Sequence, residues 1–348
     1  MKIICTFTIF LCLSFQSLWA AETRVLSLDG GGIRGVVTLE LLRHLQNEGG
    51  LNLHEDFDLY CGTSTGAIIA VALACGMSVE DILHFYQELS DYVFGKESHL
   101  FLFHPKYDSN RLRKAIKTIL NHCGIGEDSL IKDLPKKVVL TTVNLKTNSR
   151  SQRWEMDFIE NVTPDGGAIP VIEALLQSTA APTFFPATLN HVDGGMGMND
   201  PSLAALMFAY SPESNLKDVT LLSIGTGYFP HFVEEGESWG TLKWSLIGSR
   251  ESGHFPLVNL LLDLQADIPQ QVLTKLLGNR YRKVDILLVK DVQLQEFKEI
   301  PYLIDYTKKC IRSRPEEWQS ILKWIDLQFK TEGWWNWMVG SFCKQPDP

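Results

Sequence analysis

The residues best suited to chemistry lie in two short glycine-framed motifs near the start of the chain. Residues 29–35 read DGGGIRG, and residues 62–66 read GTSTG. The second motif places Ser64 between Gly62 and Gly66 on a predicted strand-to-helix turn, the context of a nucleophile elbow. At the amino end of a helix, the dipole favours negative charge developing on the hydroxyl oxygen. The pattern predicts a serine nucleophile, although a helix-capping serine between two flexible glycines has the same spacing.

The first motif strengthens the prediction of a nucleophile. Gly30, Gly31 and Gly32 follow a predicted strand, and consecutive glycines can direct several backbone N–H groups at one point. An oxyanion hole requires that arrangement. Arg34 is expected to add positive charge to the same mouth. Together the motifs predict cleavage of an ester through a covalent acyl-serine.

The first motif also matches a different kind of site. Gly30, Gly32 and Gly35 have the spacing of the dinucleotide-binding fingerprint. That fingerprint requires an acidic residue at the end of the second strand. Here the second predicted strand ends in residues 61–63, which read CGT, and the nearby acids at 55–58 lie at or before its start. The sequence therefore disfavours nucleotide binding.

A serine nucleophile needs a general base, and an aspartate is better placed for that role than a histidine. His231 and His254 do not lie in small-residue turns at strand ends, whereas Asp193 follows a short predicted strand and precedes Gly194. Aspartate at a glycine turn is commonly only a turn former. A carboxylate at the strand-end face can, however, accept the hydroxyl proton.

The elements expected to position these motifs alternate along the chain. The predicted strands are 24–28, 57–61, 138–144, 152–157, 191–193 and 219–224. The predicted helices are 36–46, 65–74, 79–94, 109–122, 170–178 and 201–210. This alternation predicts an α/β fold with a mainly parallel sheet.

The pattern changes after about residue 228. A long apolar helix over 255–277, interrupted at Pro269, precedes a strand at 281–288 and a mostly helical stretch at 301–330. We therefore expect a catalytic domain at 21–230. A mostly helical region at 231–348 is expected to pack on it.

The amino terminus predicts export. Residues 1–20 combine Lys2, an apolar run at 3–15 and small residues at the end, as in a secretory signal peptide of a secreted or periplasmic protein. Five of the seven cysteines follow this segment, and an odd count among apolar neighbours does not indicate a disulfide framework. The sequence contains no Cys-x-x-Cys or His-x-x-x-His pair, so we expect no metal site.

Charge and aromatic content restrict the partners. A net charge of −9 disfavours nucleic acid, whose phosphates require a basic surface. It permits peripheral contact with a membrane, because apolar insertion does not need basic residues. Residues 333–342 are rich in tryptophan and are one candidate for that contact, although aromatic packing on the sheet explains them equally well. The tryptophans concentrated near the carboxyl end are Trp318, Trp324, Trp334, Trp335 and Trp337.

Several blocks, in order, resemble the patatin-like phospholipase family, including its plant storage-protein branch and bacterial relatives. The motifs at 29–35 and 62–66 and the Asp-Gly-Gly at 193–195 match its signature blocks. Three further stretches also look like this family: 175–182 (LLQSTAAP), 199–201 (NDP) and 222–227 (LSIGTG). The resemblance is colinear from about residue 24 to residue 227. The resemblance does not extend beyond residue 227.

The resemblance implies a three-layer α/β/α patatin-like fold and a lipid acyl hydrolase of the phospholipase A type. In this family a Ser–Asp dyad acts without a catalytic histidine, a metal or a cofactor. Ser64 and Asp193 match the dyad, and the glycine loop at 30–32 matches the oxyanion hole. The implied substrate is a glycerolipid, and an activating partner is left open. A lipid acyltransferase and a non-catalytic lipid-binding or storage protein of the same fold remain alternatives.

Overall fold

A computed structural model describes residues 22–100, 103–146, 153–210, 215–249, 252 and 256–330. The predicted signal peptide and the tryptophan-rich stretch at 333–342 lie outside the described residues. The interpretations placed on those two segments stay predictions.

A single seven-stranded sheet forms the centre of the described chain. The strands are β1 (Thr23–Leu28), β2 (Leu59–Thr63), β3 (Lys137–Asn144), β4 (Glu155–Glu160), β5 (His191–Asp193), β6 (Val219–Ile224) and β7 (Tyr281–Val284). Their order is β4-β3-β2-β1-β6-β7, and β5 also pairs with β3. The pairs within β3-β2-β1-β6-β7 are parallel, whereas β4 and β5 run antiparallel to β3.

Nine α-helices lie in the described residues. They are α1 (Gly35–Gly49), α2 (Thr65–Ala74), α3 (Val79–Phe94), α4 (Ser109–His122), α5 (Val171–Ser178), α6 (Ser202–Ala209), α7 (Pro256–Leu277), α8 (Ile300–Ser313) and α9 (Pro315–Phe329). A π-helical turn at Lys243–Ile247 precedes α7. None of these helices has the length and apolar content that crossing a membrane requires.

The helices cover both faces of the sheet because successive strand residues point to opposite sides. Val25 and Leu221 contribute to a core shared with α6 and α7. Their neighbours Leu26 and Leu222 contribute to a larger core shared with α1–α5, α8 and α9. The fold is therefore the expected three-layer α/β/α arrangement with a mainly parallel sheet.

Strand β3 organises the edge of the sheet on which the site lies. Its first half pairs with β2, and the register ends with Thr63 opposite Thr141. Its last three residues pair with β5, where Asp193 lies opposite Thr142. Because Thr141 and Thr142 are consecutive, β5 occupies the position just beyond the end of β2. Asp193 is thereby placed next to the turn that follows Thr63.

Some element boundaries differ from the sequence prediction. The second strand continues through Gly62 and Thr63, which pair with β3, instead of ending at residue 61. The fourth strand begins three residues late, at Glu155, because its register is set by pairing with β3. The strand predicted over 281–288 ends at Val284, after which only an isolated bridge joins Leu287 to Tyr228.

Helix α7 corrects the predicted interruption at Pro269, since it runs continuously through that residue. A proline inside a helix costs about 3 kcal/mol through the lost hydrogen bond and the clash with the preceding turn. Pro269 is itself buried, and Leu273 and Leu277 anchor the following turns in the core of the sheet. This tertiary packing outweighs the local cost.

The region expected to pack on the catalytic domain also contributes to its sheet. Strand β7 lies at the edge beside β6, in parallel register. Helices α8 and α9 pack against α1. The described cysteines, Cys61, Cys75, Cys123 and Cys310, form no disulfide with one another.

Candidate active site

Ser64 lies on the sharp turn between β2 and α2. Its φ of +53° falls in a region that non-glycine residues rarely adopt. The turn is held by the Ser64 N–H, which donates to Ser178 Oγ at 3.1 Å. Both flanking positions require glycine because backbone atoms approach them closely. A Cβ atom at Gly66 would lie 2.2 Å from the carbonyl oxygen of Leu28. A Cβ atom at Gly62 would lie 2.4 Å from the carbonyl oxygen of Gly66. Such strained residues cluster at functional sites.

Asp193 ends β5 and faces Ser64 directly. The Ser64 hydroxyl donates to Asp193 Oδ2 at 2.6 Å. The other carboxylate oxygen, Oδ1, accepts the backbone N–H of Gly195 at 2.7 Å, which fixes the orientation of the carboxylate. At Gly194, a Cβ atom would lie 2.1 Å from Thr141 Oγ1, so only glycine fits at this position against β3.

The environment of Asp193 suits a proton acceptor. Its side chain is buried, and burial raises its pKa to about 6 although the hydrogen bonds from Ser64 and Gly195 lower it. A carboxylate with a raised pKa holds a proton more strongly than an ordinary aspartate does, yet it is ionised at neutral pH. Asp193 can therefore take the proton of Ser64 near pH 7.

No histidine contacts Ser64 or Asp193 within the part of the chain that the structure describes. His231 instead lies 3.5 Å from Asp263 and 3.8 Å from Asp291. The proximity of these two carboxylates, Asp263 first, raises the pKa of His231 to about 9. His254 lies outside the described residues.

The glycine loop that follows β1 lies beside Asn199, and one of its three expected donors is already used. The N–H of Gly30 donates to the carbonyl oxygen of Asn199 at 3.1 Å. That N–H is therefore already bonded within the structure, and its role as an oxyanion donor stays a prediction. Among the described residues, the N–H groups of Gly31 and Gly32 have no hydrogen-bond partner.

The shape of the loop depends on Gly32. Its φ is +57°, which favours glycine, and a Cβ atom there would lie 2.3 Å from the carbonyl oxygen of Leu294. The next N–H, that of Ile33, donates to the same carbonyl at 2.9 Å. The segment at Leu294 therefore supports the loop from the carboxyl-terminal third of the chain.

Arg34 is surrounded by acidic side chains. Burial lowers the pKa of its guanidinium, and the charges of Asp285, Asp291 and Asp263 oppose that effect. Its Nε is buried without a hydrogen-bond partner among the described residues. The positive charge expected at the mouth is thus largely balanced by these carboxylates.

A buried lysine joins the glycine loop to the rest of the sheet. Lys283 Nζ lies 2.7 Å and 2.6 Å from the two carboxylate oxygens of Asp29, the residue immediately before Gly30. It also lies 2.7 Å from Asp200 Oδ2 and 3.0 Å from Ser223 Oγ. The Lys283 side chain is 8% exposed, and those of Asp29 and Asp200 are 4% and 0% exposed.

These contacts form one charge network that fixes both sides of the site. Burial lowers the pKa of the Lys283 amine, but the carboxylates of Asp200 and Asp29 outweigh it, so the pKa rises and the amine stays charged. Asp29 begins the glycine loop, whereas Asp200 follows Asn199, whose carbonyl holds Gly30. Lys283 is therefore a positioning residue for the loop.

The sequence contains no local signal for several of these supporting residues. Asn199 and Asp200 fall in one of the blocks recognised above, but Lys283 lies 254 residues from Asp29 and belongs to no motif. Ser178 lies in another of those blocks without an assigned role. Gln265 of α7, whose Oε1 accepts the N–H of Asn199 at 3.0 Å, lies in an ordinary helical pattern.

The described residues contain no group of three or more His, Cys, Asp or Glu side chains arranged to hold a metal ion. The chemistry available here is that of a hydroxyl, a carboxylate and backbone N–H groups.

Comparison with known proteins decides the family. The model of the patatin-like phospholipase family matches residues 26–206. The chain belongs to this family. The match includes the second half of β1, the glycine loop, the turn at Ser64 and the strand that carries Asp193.

Named relatives of this patatin-like chain come from bacteria and plants. A cGAMP-activated phospholipase of Vibrio cholerae is 32% identical over 235 residues, which cover 59% of this chain and 64% of the relative. A cGAMP-activated phospholipase of Pseudomonas aeruginosa is 30% identical over 274 residues, covering 75% and 77%. Patatin-T5 of Solanum tuberosum is 28% identical over 267 residues, covering 64% and 66%. This chain thus spans less than two thirds of the Vibrio and potato proteins.

The pKa of Asp193 predicts the pH dependence of ester cleavage. The carboxylate must be ionised to accept a proton, so kcat/KM on a water-soluble ester falls about tenfold per pH unit below a pKa of about 6. Asp193→Asn removes this limb together with most of the activity. Asp305→Asn, on the exposed face of α8, is the matched control and retains the wild-type profile. A profile that is flat from pH 5 to pH 8 in the folded wild type would contradict the assignment of the base.

Removing the buried amine is expected to destabilise the fold. Lys283→Met leaves Asp29 and Asp200 buried without a counter-charge, which costs about 3–5 kcal/mol in the free energy of unfolding measured with urea. Lys323→Met, on the exposed face of α9, changes it by less than about 0.5 kcal/mol. At a temperature where Lys283→Met remains folded, kcat falls while KM is nearly unchanged, because the glycine loop acts on the transition state. Equal stability of the two variants would contradict the loss of a needed counter-charge, and an unchanged kcat in folded Lys283→Met would contradict the positioning role.

Proposed function

We propose that this protein is a lipid acyl hydrolase of the phospholipase A type. It cleaves fatty-acyl esters of glycerolipids with Ser64 as the nucleophile and Asp193 as the general base. The family supports hydrolysis of lipid esters in general. The choice of residues rests on the geometry of the site, and the choice of bond rests on the resemblance to the family.

The acylation step uses the hydrogen bond between the two side chains. Ser64 Oγ attacks the ester carbonyl carbon as its proton passes to Asp193 Oδ2, 2.6 Å away. The carbonyl oxygen becomes an oxyanion, and the free N–H groups of Gly31 and Gly32 are the proposed donors to it. When the tetrahedral intermediate collapses, Asp193 returns the proton to the departing alkoxide, and the lyso-lipid leaves as an alcohol.

The deacylation step repeats the same proton transfers with water. Asp193 removes a proton from a water molecule, whose oxygen attacks the acyl-serine carbonyl. The second tetrahedral intermediate collapses with release of the fatty acid, and Ser64 Oγ regains its proton from Asp193. One carboxylate therefore serves both half-reactions, and no histidine or metal is required.

The observation that carries this proposal is the direct hydrogen bond between Ser64 and Asp193 on a strained turn. An ordinary helix-capping serine has an extended backbone without conformational strain. The φ of +53° at Ser64 costs free energy, so capping alone does not account for it. The hydroxyl also donates to a buried carboxylate. Burying a carboxylate costs free energy that a purely structural hydrogen bond does not require. Both features are explained by a nucleophile and its base.

Export of the chain is a separate proposal, supported by the pattern of residues 1–20. Regulation is open to a direct test, since the names of the Vibrio and Pseudomonas relatives include activation by cGAMP. Each activity assay is therefore run with and without cGAMP.

Ser64→Ala is expected to abolish lipid hydrolysis. The mature protein from Glu22 onward is incubated with liposomes of phospholipid or galactolipid, and fatty acids and lyso-lipids are quantified by mass spectrometry. Because no other side chain can carry the acyl group, kcat falls by at least about 10⁴-fold. Ser320→Ala, at an exposed position of α9, is the matched control and retains full activity.

The products separate the proposed function from its alternatives. Fatty acid and lyso-lipid in equal amounts indicate hydrolysis, whereas acyl transfer to an added alcohol indicates an acyltransferase. Near wild-type release by Ser64→Ala would contradict the nucleophile. No release by the wild type with or without cGAMP, and no labelling of Ser64 by a fluorophosphonate, would favour a lipid-binding or storage protein.

A further inference from the structure

Helix α7 carries apolar residues on two opposite faces. One face buries Pro269, Leu273 and Leu277 towards the sheet. The outward face is also apolar, although surface helices normally present polar residues to water. Its seven members are 37–52% exposed: Leu257, Leu260, Leu261, Leu264, Ile268, Val272 and Leu276. We call these seven residues the outer face of α7.

The outer face is a continuous stripe rather than scattered residues. Its members recur at steps of three or four, so they lie on the same side of the helix. The helix has 22 residues and is about 33 Å long at 1.5 Å per residue. An exposed apolar stripe of this length marks an interaction surface, since isolated surface apolar residues need no explanation and long stripes do.

The turn before α7 enlarges this surface. The π-helical segment Lys243–Ile247 packs against α7. Leu242, Leu246 and Ile247 are among the most exposed apolar side chains of the described residues. The apolar area beside α7 is therefore broader than one helix.

The outer face adjoins the candidate active site. Gln265, next to Leu264 in the chain, accepts the N–H of Asn199 at 3.0 Å and donates to the carbonyl oxygen of Met196 at 3.3 Å. Asn199 holds Gly30, and Met196 lies three residues after Asp193 with an exposed side chain. Helix α7 is thus attached directly to the segments that surround Ser64.

The charges on this surface do not select an anionic partner. Asp263 lies 3.5 Å from His231, α7 also carries Asp267 and Lys275, and Lys243 lies in the preceding turn. Binding to anionic lipid headgroups depends on clusters of basic residues, and the described residues of this surface form no such cluster. An uncharged apolar stripe instead matches the acyl region of a zwitterionic bilayer.

We propose that the outer face of α7, with the apolar residues at 242–247, is the surface on which the protein docks to a zwitterionic lipid bilayer. The proposal rests on the proposed function, since a lipid hydrolase must take its substrate from an aggregate. Docking by this surface brings Met196, and with it the segment that carries Asp193, towards the lipid. A second copy of the chain on the same surface would instead cover this segment.

The test measures flotation with phosphatidylcholine vesicles in a Ser64→Ala background, so that hydrolysis does not consume the vesicles. Adding Leu261→Glu and Ile268→Glu lowers the partition coefficient at least about tenfold, because two apolar contacts are lost and two charges gained. The matched control is Gln270→Glu with Thr274→Glu, which adds the same charges to exposed polar positions of the same helix and leaves flotation unchanged. Raising the salt or adding anionic lipid changes flotation of the parent less than about twofold.

Three outcomes would overturn the proposal. One is equal flotation of the Leu261→Glu/Ile268→Glu variant and its parent. Another is flotation that is lost on truncation after Glu332 but not in this variant, which would assign docking to the tryptophan-rich segment. The third is a parent that is dimeric by analytical ultracentrifugation and becomes monomeric in this variant, which would assign the surface to a second copy.

A soluble short-chain ester keeps the docking surface separate from the chemistry. With Ser64 intact, Leu261→Glu/Ile268→Glu cleaves this ester at the wild-type rate and melts within about 3 °C of wild type, which shows that it is folded. If the wild type cleaves no ester but its Ser64→Ala form floats as expected, the proposed function fails and the docking surface stands.

Discussion

Backbone pairing along β3 is the constraint on which the candidate active site depends. Two consecutive residues of this strand, Thr141 and Thr142, pair with Thr63 of β2 and with Asp193 of β5. Ser64 follows Thr63, so its position relative to Asp193 is set by one strand register and not by a flexible loop. A shift of one residue would turn the side chains of the shifted strand to the opposite face of the sheet. The antiparallel pairing of β5 with the end of β3 is therefore essential to the site.

A second constraint comes from charge rather than from hydrogen-bonded strands. Buried ions are tolerated only when they are paired, and Lys283 pairs with carboxylates on both sides of the glycine loop. The same edge of the sheet contains Asp285, whose Oδ1 accepts the N–H of Gly227 at 2.7 Å. The glycine loop thus adjoins a layer of buried groups in which Lys283 is paired with Asp29 and Asp200. This layer restricts the motion of the loop N–H groups proposed as oxyanion donors.

The sequence predicted most of this arrangement because the informative residues are local. Ser64, Gly62 and Gly66 lie within five residues, and each strand-end motif is recognisable from small residues after an apolar run. The sequence does not show that the N–H of Gly30 is already bonded within the structure, for a physical reason. Which N–H of a glycine loop is free depends on a distant carbonyl, here that of Asn199. No local pattern gives that information.

The parts that could not be predicted are long-range or collective. The sequence around Lys283 is that of an ordinary short strand. Its pairing with Asp29 and Asp200 becomes evident only when β7 lies beside β6. Pro269 predicts an interruption from the local sequence. The helix is continuous there because of tertiary packing, which the local sequence does not show. The two-sided apolar pattern of α7 was visible as a long apolar helix, but only the fold distinguishes its buried face from its outer face.

The contact between Lys283 and Asp29 also bears on the order in which the protein is made. Asp29 emerges early in synthesis, whereas its counter-charge lies 254 residues later. Until that lysine emerges, burying Asp29 and Asp200 is unfavourable. The glycine loop therefore cannot adopt its native conformation stably. We expect the glycine loop of the nascent chain to stay unfinished until Lys283 has left the ribosome. Synthesis itself would then delay the proposed hydrolysis of lipids.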